Sequence, residues 1–125
     1  MGARPRLAKA VDAAHRPCKA RWWFEPGSKT VLIDSSRVIG LAMLPPRRFH
    51  PFELDTFGLG MLLSRATGRD TKRCLVGIGG SATNDGGAGL GQALGFRLLD
   101  THGRELGPGG GELDRLDRIE PTLLD

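Results

Sequence analysis

Apolar and polar positions alternate along the first half of the chain in a way that predicts a β-hairpin. Two short runs rich in apolar residues, 19–24 and 30–33, flank the turn sequence Glu25-Pro-Gly-Ser28. Strand-like runs on either side of a Pro-Gly turn are typical of paired antiparallel strands. A short helical turn is expected over 38–44, where Pro45 and Pro46 would stop it. Residues 1–14 show no pattern that predicts an element.

The second half changes to helical spacing. Leu59, Leu62, Leu63 and Ala66 lie at i, i+3, i+4 and i+7, which predicts a helix from Thr56 or Phe57 to Thr67. The apolar run 73–78 predicts a strand after this helix. A helix between the second hairpin strand and this one is compatible with a parallel crossover. Further elements are expected as a helix over 86–95, a strand over 96–100 and a helix over 112–119. The fold class is therefore α/β, with strands alternating with short helices.

The chemistry is concentrated in a glycine-dense segment, 77–87, that reads Gly-Ile-Gly-Gly-Ser-Ala-Thr-Asn-Asp-Gly-Gly. Glycines can adopt positive φ without steric cost, so their backbone N–H groups can converge on one point. A helix that starts just afterwards adds its own unpaired N–H groups. The pattern predicts an anion site with a carboxylate, Asp85, beside it. Such an arrangement suits phosphoryl transfer.

A dinucleotide-binding fold is the competing interpretation of the same glycines. Gly77, Gly79 and Ala82 satisfy the G-x-G-x-x-A pattern, and Asp100 lies near the distance expected for a ribose-binding acid. In that fold, however, the helix opens within the glycine motif, where this chain has the poor helix formers of 83–87. The carboxylate of Asp85 would also repel a pyrophosphate. The context therefore disfavours this interpretation.

The charge distribution, the apolar runs and the cysteines argue against a nucleic-acid-binding or a membrane protein. The formal charge of +4 is concentrated at the start, where residues 1–21 carry six of the 18 basic side chains and one acid. This segment lacks interleaved aromatic residues, so a solvated terminus is favoured over a nucleic-acid site. The sequence contains no run of 18 apolar residues, so no membrane span is expected. Cys18 and Cys74 have neither a redox nor a metal spacing, so we expect a reduced, cytoplasmic protein.

The segment 77–87 closely resembles the signature of the bacterial glycerate kinase family. The resemblance extends over about 16–120 in the family's order and spacing, through Gly40-Leu41, Pro45-Pro46, 56–60, 93–97 and 108–111. It implies ATP-dependent phosphorylation of D-glycerate, with ATP and Mg²⁺ as cofactors and with neither nucleic acid nor a membrane as partner. It also implies part of a two-domain fold. Family members are considerably longer, so 16–125 is expected to be an internal portion of the catalytic region, preceded by an unassigned basic segment, 1–15.

The resemblance and the residue types together give candidate site residues. Asp85 and Asn84 are the catalytic candidates, and Asp85 is also the candidate Mg²⁺ ligand. Other residues are candidates for the walls of the cleft: Asp34, Thr56 and Gly58. The candidates for binding phosphate or substrate are Gly79, Gly80, Ser81, Thr83, Gly86 and Gly87. Two structural alternatives stay open, namely a strand-to-helix turn without a ligand and Asp85 as the N-cap of helix 86–95.

Departures from the family pattern keep a second function open. Asp34 stands where the family usually has Glu, and Phe57, Leu59 and Met61 replace its Tyr, Thr and Glu. The chain could therefore be an inactive fragment that binds an organic acid or a partner chain. An incomplete fold would also leave apolar surface uncovered, for which Leu62, Leu63, Leu90 and Leu94 are candidates.

Overall fold

A four-stranded sheet forms the centre of the fold. The computed structural model describes residues 2–122. The strands lie in the order β1-β2-β3-β4 and span Arg4–Val11, Pro17–Glu25, Thr30–Asp34 and Arg73–Gly77. The pairs β1–β2 and β2–β3 are antiparallel, which confirms the predicted hairpin, and β4 pairs with β3 in parallel. The sheet therefore combines a meander with one crossover.

Strand β1 lies in the basic segment, where the sequence pattern predicted no element. Its inner face carries the small side chains of Ala8 and Ala10, so no strong apolar alternation marks it. The guanidinium carbon of Arg6 lies 5.7 Å from the ring centroid of Trp22 and 5.8 Å from that of Phe24. Arginine stems can cover aromatic surface while the charge stays in water. A strand rich in arginine is thus able to pack at the edge of the sheet.

Within residues 2–122, three α-helices and several 3-10 turns connect the strands. The helices are α1 (Ser36–Ile39), α2 (Phe57–Ala66) and α3 (Ala88–Ala93). Helix α2 lies between β3 and β4 in the chain, as predicted, and supplies the parallel crossover. Helix α3 is shorter than the predicted 86–95 because Gly86 and Gly87 have φ of 63° and 81°, which lie outside the helical region.

The core lies between the inner face of the sheet and α2. Trp22, Val31 and Ile33 of the sheet pack in one cluster with Leu59 and Leu62 of α2. Leu62 is fully buried, and Leu63 and Leu90 are partly buried against the same cluster. The expectation of uncovered apolar surface is therefore wrong for Leu62, whereas Leu94 is half-buried and lies outside this cluster.

The C-terminal part forms a separate two-stranded sheet. Strand β5 (Arg97–Leu99) confirms the strand expected over 96–100, and it pairs antiparallel with β6 (Arg118–Glu120). The helix predicted over 112–119 is wrong: a 3-10 turn occupies Gly110–Arg115 and β6 follows. Ile119 lies opposite Leu98, and Arg97 approaches Glu120 to 3.6 Å. Cross-strand pairing therefore overrides the local helical spacing.

The outer face of the four-stranded sheet points away from the core cluster, and Arg37 next to it stacks on Trp23. Strand registers place Pro5, Trp23, Leu32 and Leu75 in one row across it. Leu75 is 51% exposed, and Ile78, just after β4, is 81% exposed. Among the described residues, no helix is both long and apolar enough to span a membrane.

Candidate phosphate-binding site

The glycine-rich loop starts at the carboxyl edge of the sheet. Asp34 and Gly77 end the parallel strands β3 and β4 side by side. The N–H of Ser35 donates to the Gly77 carbonyl at 2.9 Å, and the N–H of Leu41 donates to the Gly80 carbonyl at 3.0 Å. The carboxyl ends of parallel strands are where open α/β sheets usually bind ligands. The loop is thus anchored along α1 at a favourable edge.

Three consecutive backbone N–H groups of this loop have no acceptor among the described residues. The residues Gly79, Gly80 and Ser81 are exposed, and within residues 2–122 no protein acceptor pairs with any of their three N–H groups. Gly80 has a φ of 72°, which a residue with a side chain rarely adopts. A Cβ on Gly79 would meet nothing within 4 Å. Unpaired N–H groups in an open turn are donors suited to an anion.

The hydroxyl groups that follow are engaged with each other. The oxygens of Ser81 Oγ and Thr83 Oγ1 lie 2.7 Å apart, and the Thr83 N–H donates to Ser81 Oγ at 3.1 Å. Side chains of this type often stabilise turns by such local bonds. Thr83 therefore orients Ser81, and the open N–H groups remain the donors that face solvent.

Asp85 does not lie in the open loop. Its side chain is buried, with 1% exposure, and its Oδ2 accepts from the Thr56 N–H, the Thr56 Oγ1–H and the Gly89 N–H at 2.9 Å each. Oδ1 accepts from the Gly87 N–H at 3.1 Å. Thr56 Oγ1 in turn accepts from the Leu90 N–H at 2.8 Å. The carboxylate thus joins the first turns of α2 and α3.

This geometry fits the structural alternative for Asp85, a carboxylate that satisfies the free N–H groups at helix starts. To act as a base or a metal ligand, it would have to release at least one of its donors. Within the described residues, no group of three or more His, Cys, Asp and Glu side chains could hold a metal ion. Asn84, directly before it, is exposed, as are Gly86 and Gly87.

The residues expected in the cleft separate into two environments. Asp34 is half exposed at the sheet edge, where its Oδ1 accepts from the Ser36 N–H and hydroxyl. Gly58 is buried in α2, and a Cβ there would lie 1.7 Å from the Val11 carbonyl oxygen. Thr56 is also buried. Thr56 and Gly58 therefore pack closely beside α3 and β1, and their role in a cleft stays a prediction.

A second buried carboxylate, Asp55, did not emerge from the sequence. His15 Nε2 lies 2.7 and 2.8 Å from its two oxygens, and the N–H groups of Phe57 and Gly109 donate to it at 3.0 and 2.7 Å. His15 has a φ of 62° and its ring stacks on Phe57 at 5.4 Å. An Asp just before a predicted helix start was the available signal.

Electrostatics couple this pair. The hydrogen bond to Asp55 raises the pKa of His15 more than burial lowers it. Burial by itself would raise the pKa of Asp55, but bonds from His15 and from the N–H groups of Phe57 and Gly109 outweigh it and lower the pKa. Both shifts favour the charged forms of the two side chains, so each side chain stabilises the ionised state of the other.

The dinucleotide interpretation does not fit the geometry. Helix α3 begins at Ala88, well after Gly79, so the glycines do not open a helix. Asp100 is buried, and its Oδ1 accepts from the N–H groups of His102 and Arg104. It stabilises its own turn, and its oxygen is not directed at the glycine loop.

Comparison with known proteins identifies the family of the chain. The model of the glycerate kinase family matches residues 1–125. The glycerate kinase of Bacillus subtilis is 43% identical over 109 residues, which are 87% of this chain and 28% of that protein. The glycerate 2-kinase of Escherichia coli is 41% identical over 106 residues, 85% of this chain and 28% of that protein.

A solved structure shows the same fold. The crystal structure of a glycerate kinase 2 from Salmonella typhimurium LT2 superimposes with a TM-score of 0.89 at 32% identity, covering 94% of this chain and 32% of that one. That enzyme has a two-domain fold, of which this chain corresponds to a part. The chain spans 28% of the length of the two curated relatives named above. With the family model matching its whole length, the chain belongs to the glycerate kinase family.

Proposed function

We propose that this chain supplies the phosphate-binding part of a kinase that transfers a phosphoryl group from ATP to D-glycerate. The observation that carries the proposal is the row of open N–H groups at Gly79, Gly80 and Ser81. Phosphoryl transfer depends mainly on positioning and on donors aimed at the charged phosphoryl oxygens. Fixed backbone donors do this without reorganisation when the ligand arrives.

The remaining roles are assigned to the residues around the loop. Asn84 is exposed at its end and is the proposed contact to substrate. Asp85 is the proposed base, on the condition that it releases a donor such as Gly89 in the complex. The surroundings of Asp85 do not fit an Mg²⁺ site, because protein donors occupy both its oxygens. Mg²⁺ would therefore accompany ATP, held mainly by phosphate oxygens and water.

A second function is favoured by the departures from the family pattern at Asp34, Phe57, Leu59 and Met61. In this alternative the chain binds an organic acid or a partner chain without turnover. A reduced, cytoplasmic environment is proposed for either function, since Cys18 and Cys74 are both free.

The test compares the chain with a chimera. In the chimera, the residues of this chain replace the matching 109 residues of the Bacillus subtilis enzyme. We expect ADP release that depends on D-glycerate from the chimera, and near-background turnover from the 125-residue chain alone. The matched control is the chimera with Gly80→Val, which disturbs the loop at a positive φ. A folded but inactive chimera would support the alternative, and robust turnover by the isolated chain would remove the need for the remaining segments.

A further inference from the structure

A basic pocket lies on the outer face of the sheet, next to the glycine-rich loop. Its volume is about 420 Å³, and the residues that line it are Leu7, Lys19, Arg21, Ser36, Arg37 and Met43. Lys19 and Arg21 project from the same face of β2, since they are two residues apart, and both are exposed. Arg37 comes from α1, so the cations converge from separate elements.

The charges in this pocket are poorly compensated. Within the described residues, neither Lys19 nor Arg21 has a carboxylate oxygen within 4.0 Å. Arg37 reaches only Asp34, at 3.8 Å, and its guanidinium carbon lies 5.2 Å from the Trp23 ring centroid. Stacking on Trp23 holds the planar guanidinium in place at low entropic cost. The three cationic side chains of the pocket thus have one partly exposed carboxylate, that of Asp34, to offset their charge.

Ser36 connects this pocket to the loop. It lines the pocket, and its Cβ would lie 3.3 Å from a Cβ on Gly80. The hydroxyl of Ser36 donates to Asp34, which fixes the side chain at the boundary. Ser36 therefore contacts Gly80 of the loop and also lines the pocket that holds the basic side chains. A ligand with several linked anionic groups could contact both at once.

We propose that Lys19, Arg21 and Arg37 bind the polyphosphate chain of a nucleotide whose phosphates also contact the loop at Gly79–Ser81. This proposal rests on the proposed function and assigns the side chains that hold its phosphate donor. Guanidinium groups match phosphate oxygens with two parallel hydrogen bonds, and hydrogen bonds to charged groups are the stronger class. The proposed ligand is a linear polyphosphate, because Ser36 lines the basic pocket and also contacts Gly80 of the loop, so linked phosphates could reach both.

The test is binding of three probes to the 125-residue chain, measured by calorimetry: ATP, inorganic tripolyphosphate and AMP. We expect Arg21→Gln and Arg37→Gln each to weaken ATP and tripolyphosphate about tenfold or more, with little change for AMP. Arg37→Lys keeps the charge but loses the parallel N–H donors of the guanidinium, so its binding should lie between that of Arg37→Gln and that of the wild-type chain. The matched control is Arg69→Gln, an exposed arginine in the turn before β4. Unchanged melting temperatures would exclude unfolding as the cause.

The outcomes separate this proposal from the proposed function. If ATP binding is lost in Gly80→Val but unchanged when Lys19, Arg21 and Arg37 are all Gln, the basic pocket is not a phosphate site and the loop proposal stands. If tripolyphosphate binds through the pocket but ATP does not bind, the pocket stands as an anion site and the nucleotide is wrong. If none of the three probes binds, both proposals fail.

Discussion

Asp55 and Asp85 both lie buried at the first turn of α2, but their partners differ in kind. Asp85 accepts from uncharged donors only, two on Thr56 and the N–H groups of Gly87 and Gly89. Asp55 faces the imidazole of His15 as well as backbone N–H groups. Removal of charge at the first site should therefore lower stability through the hydrogen bonds that it loses, whereas the second site should make stability depend on pH.

We expect Asp85→Asn to lower the free energy of unfolding by about 2 kcal/mol or more. The amide places an NH₂ group against N–H donors, and an unsatisfied buried donor costs about 1–3 kcal/mol. Loss of an ordinary helix cap costs about 1 kcal/mol. The measurement is urea unfolding of the chain.

Asn84→Ala serves as the control, since Asn84 is exposed and the change should stay within about 0.5 kcal/mol. A stable Asp85→Asn chain whose chimera has lost turnover would instead assign the carboxylate to the chemistry.

The stability of the chain should fall as pH rises above about 6.5. The raised pKa of His15 means that its contribution is fully present below its unfolded value of 6.5 and is lost as pH rises through the folded value. The lowered pKa of Asp55 gives a contribution that is present above its unfolded value of 3.8 and is lost as pH falls through the folded value. Both contributions are therefore complete between about pH 4 and 6.5.

The measurement is the melting temperature between pH 5 and 8. His15→Asn tolerates the positive φ and should flatten this dependence, while His102→Asn, at an exposed position, should preserve it. Equal slopes for the wild-type chain and His15→Asn would rule out the ion pair as the cause.

At the scale of elements, the packing of α2 against β1 depends on one missing side chain. A Cβ on Gly58 would lie 1.7 Å from the Val11 carbonyl oxygen, a backbone atom that cannot move alone. We expect Gly58→Ala to destabilise the chain by about 1–3 kcal/mol through forced separation of helix and strand. Chemical unfolding provides the measurement.

Gly68→Ala is the matched substitution just after the same helix. Nothing lies within 4 Å of its Cβ position, and its φ is not positive. It should be neutral or slightly stabilising, because alanine restricts the unfolded chain. Equal losses in the two variants would show that the contact with Val11 does not determine the effect.

Sequence patterns predicted the elements whose partners are near in the chain or whose apolar spacing is strong. The hairpin of β2 and β3 and the leucine stripe of α2 belong to this group. Strand β1 was not predicted because its buried positions are alanines. Strand β6 was not predicted because local spacing does not show its pairing with β5. The glycine loop was located correctly, but the burial of Asp85 depends on Thr56, 29 residues away. No local pattern reports such a contact.

At the scale of the whole molecule, the outer face of the sheet is the feature with a solution consequence. Leu32 and Leu75 lie opposite each other in the row across this face, and Leu75 is half exposed. Edge strands with open hydrogen-bonding groups and apolar side chains tend to associate. We expect the isolated chain to self-associate in sedimentation velocity, and Leu75→Lys to shift it towards monomer.

Thr101→Lys introduces the same charge at an exposed turn and should leave the association unchanged. A compact monomer with a sharp, cooperative melt for the wild-type chain would contradict this prediction.

The parallel pairing of β4 also sets an order of events during folding. Strands β1, β2 and β3 follow one another through short turns, whereas β4 pairs with β3 only after the chain has passed through α1 and α2. Loop closure makes such distant pairings slow relative to local hairpins. In pulse-labelling hydrogen exchange, the amides of β2 should become protected before those of Cys74–Val76. Until β4 pairs, the backbone groups of β3 that bond to it have no partner. A chain emerging from the ribosome would therefore carry an unpaired strand edge until synthesis passes Gly77.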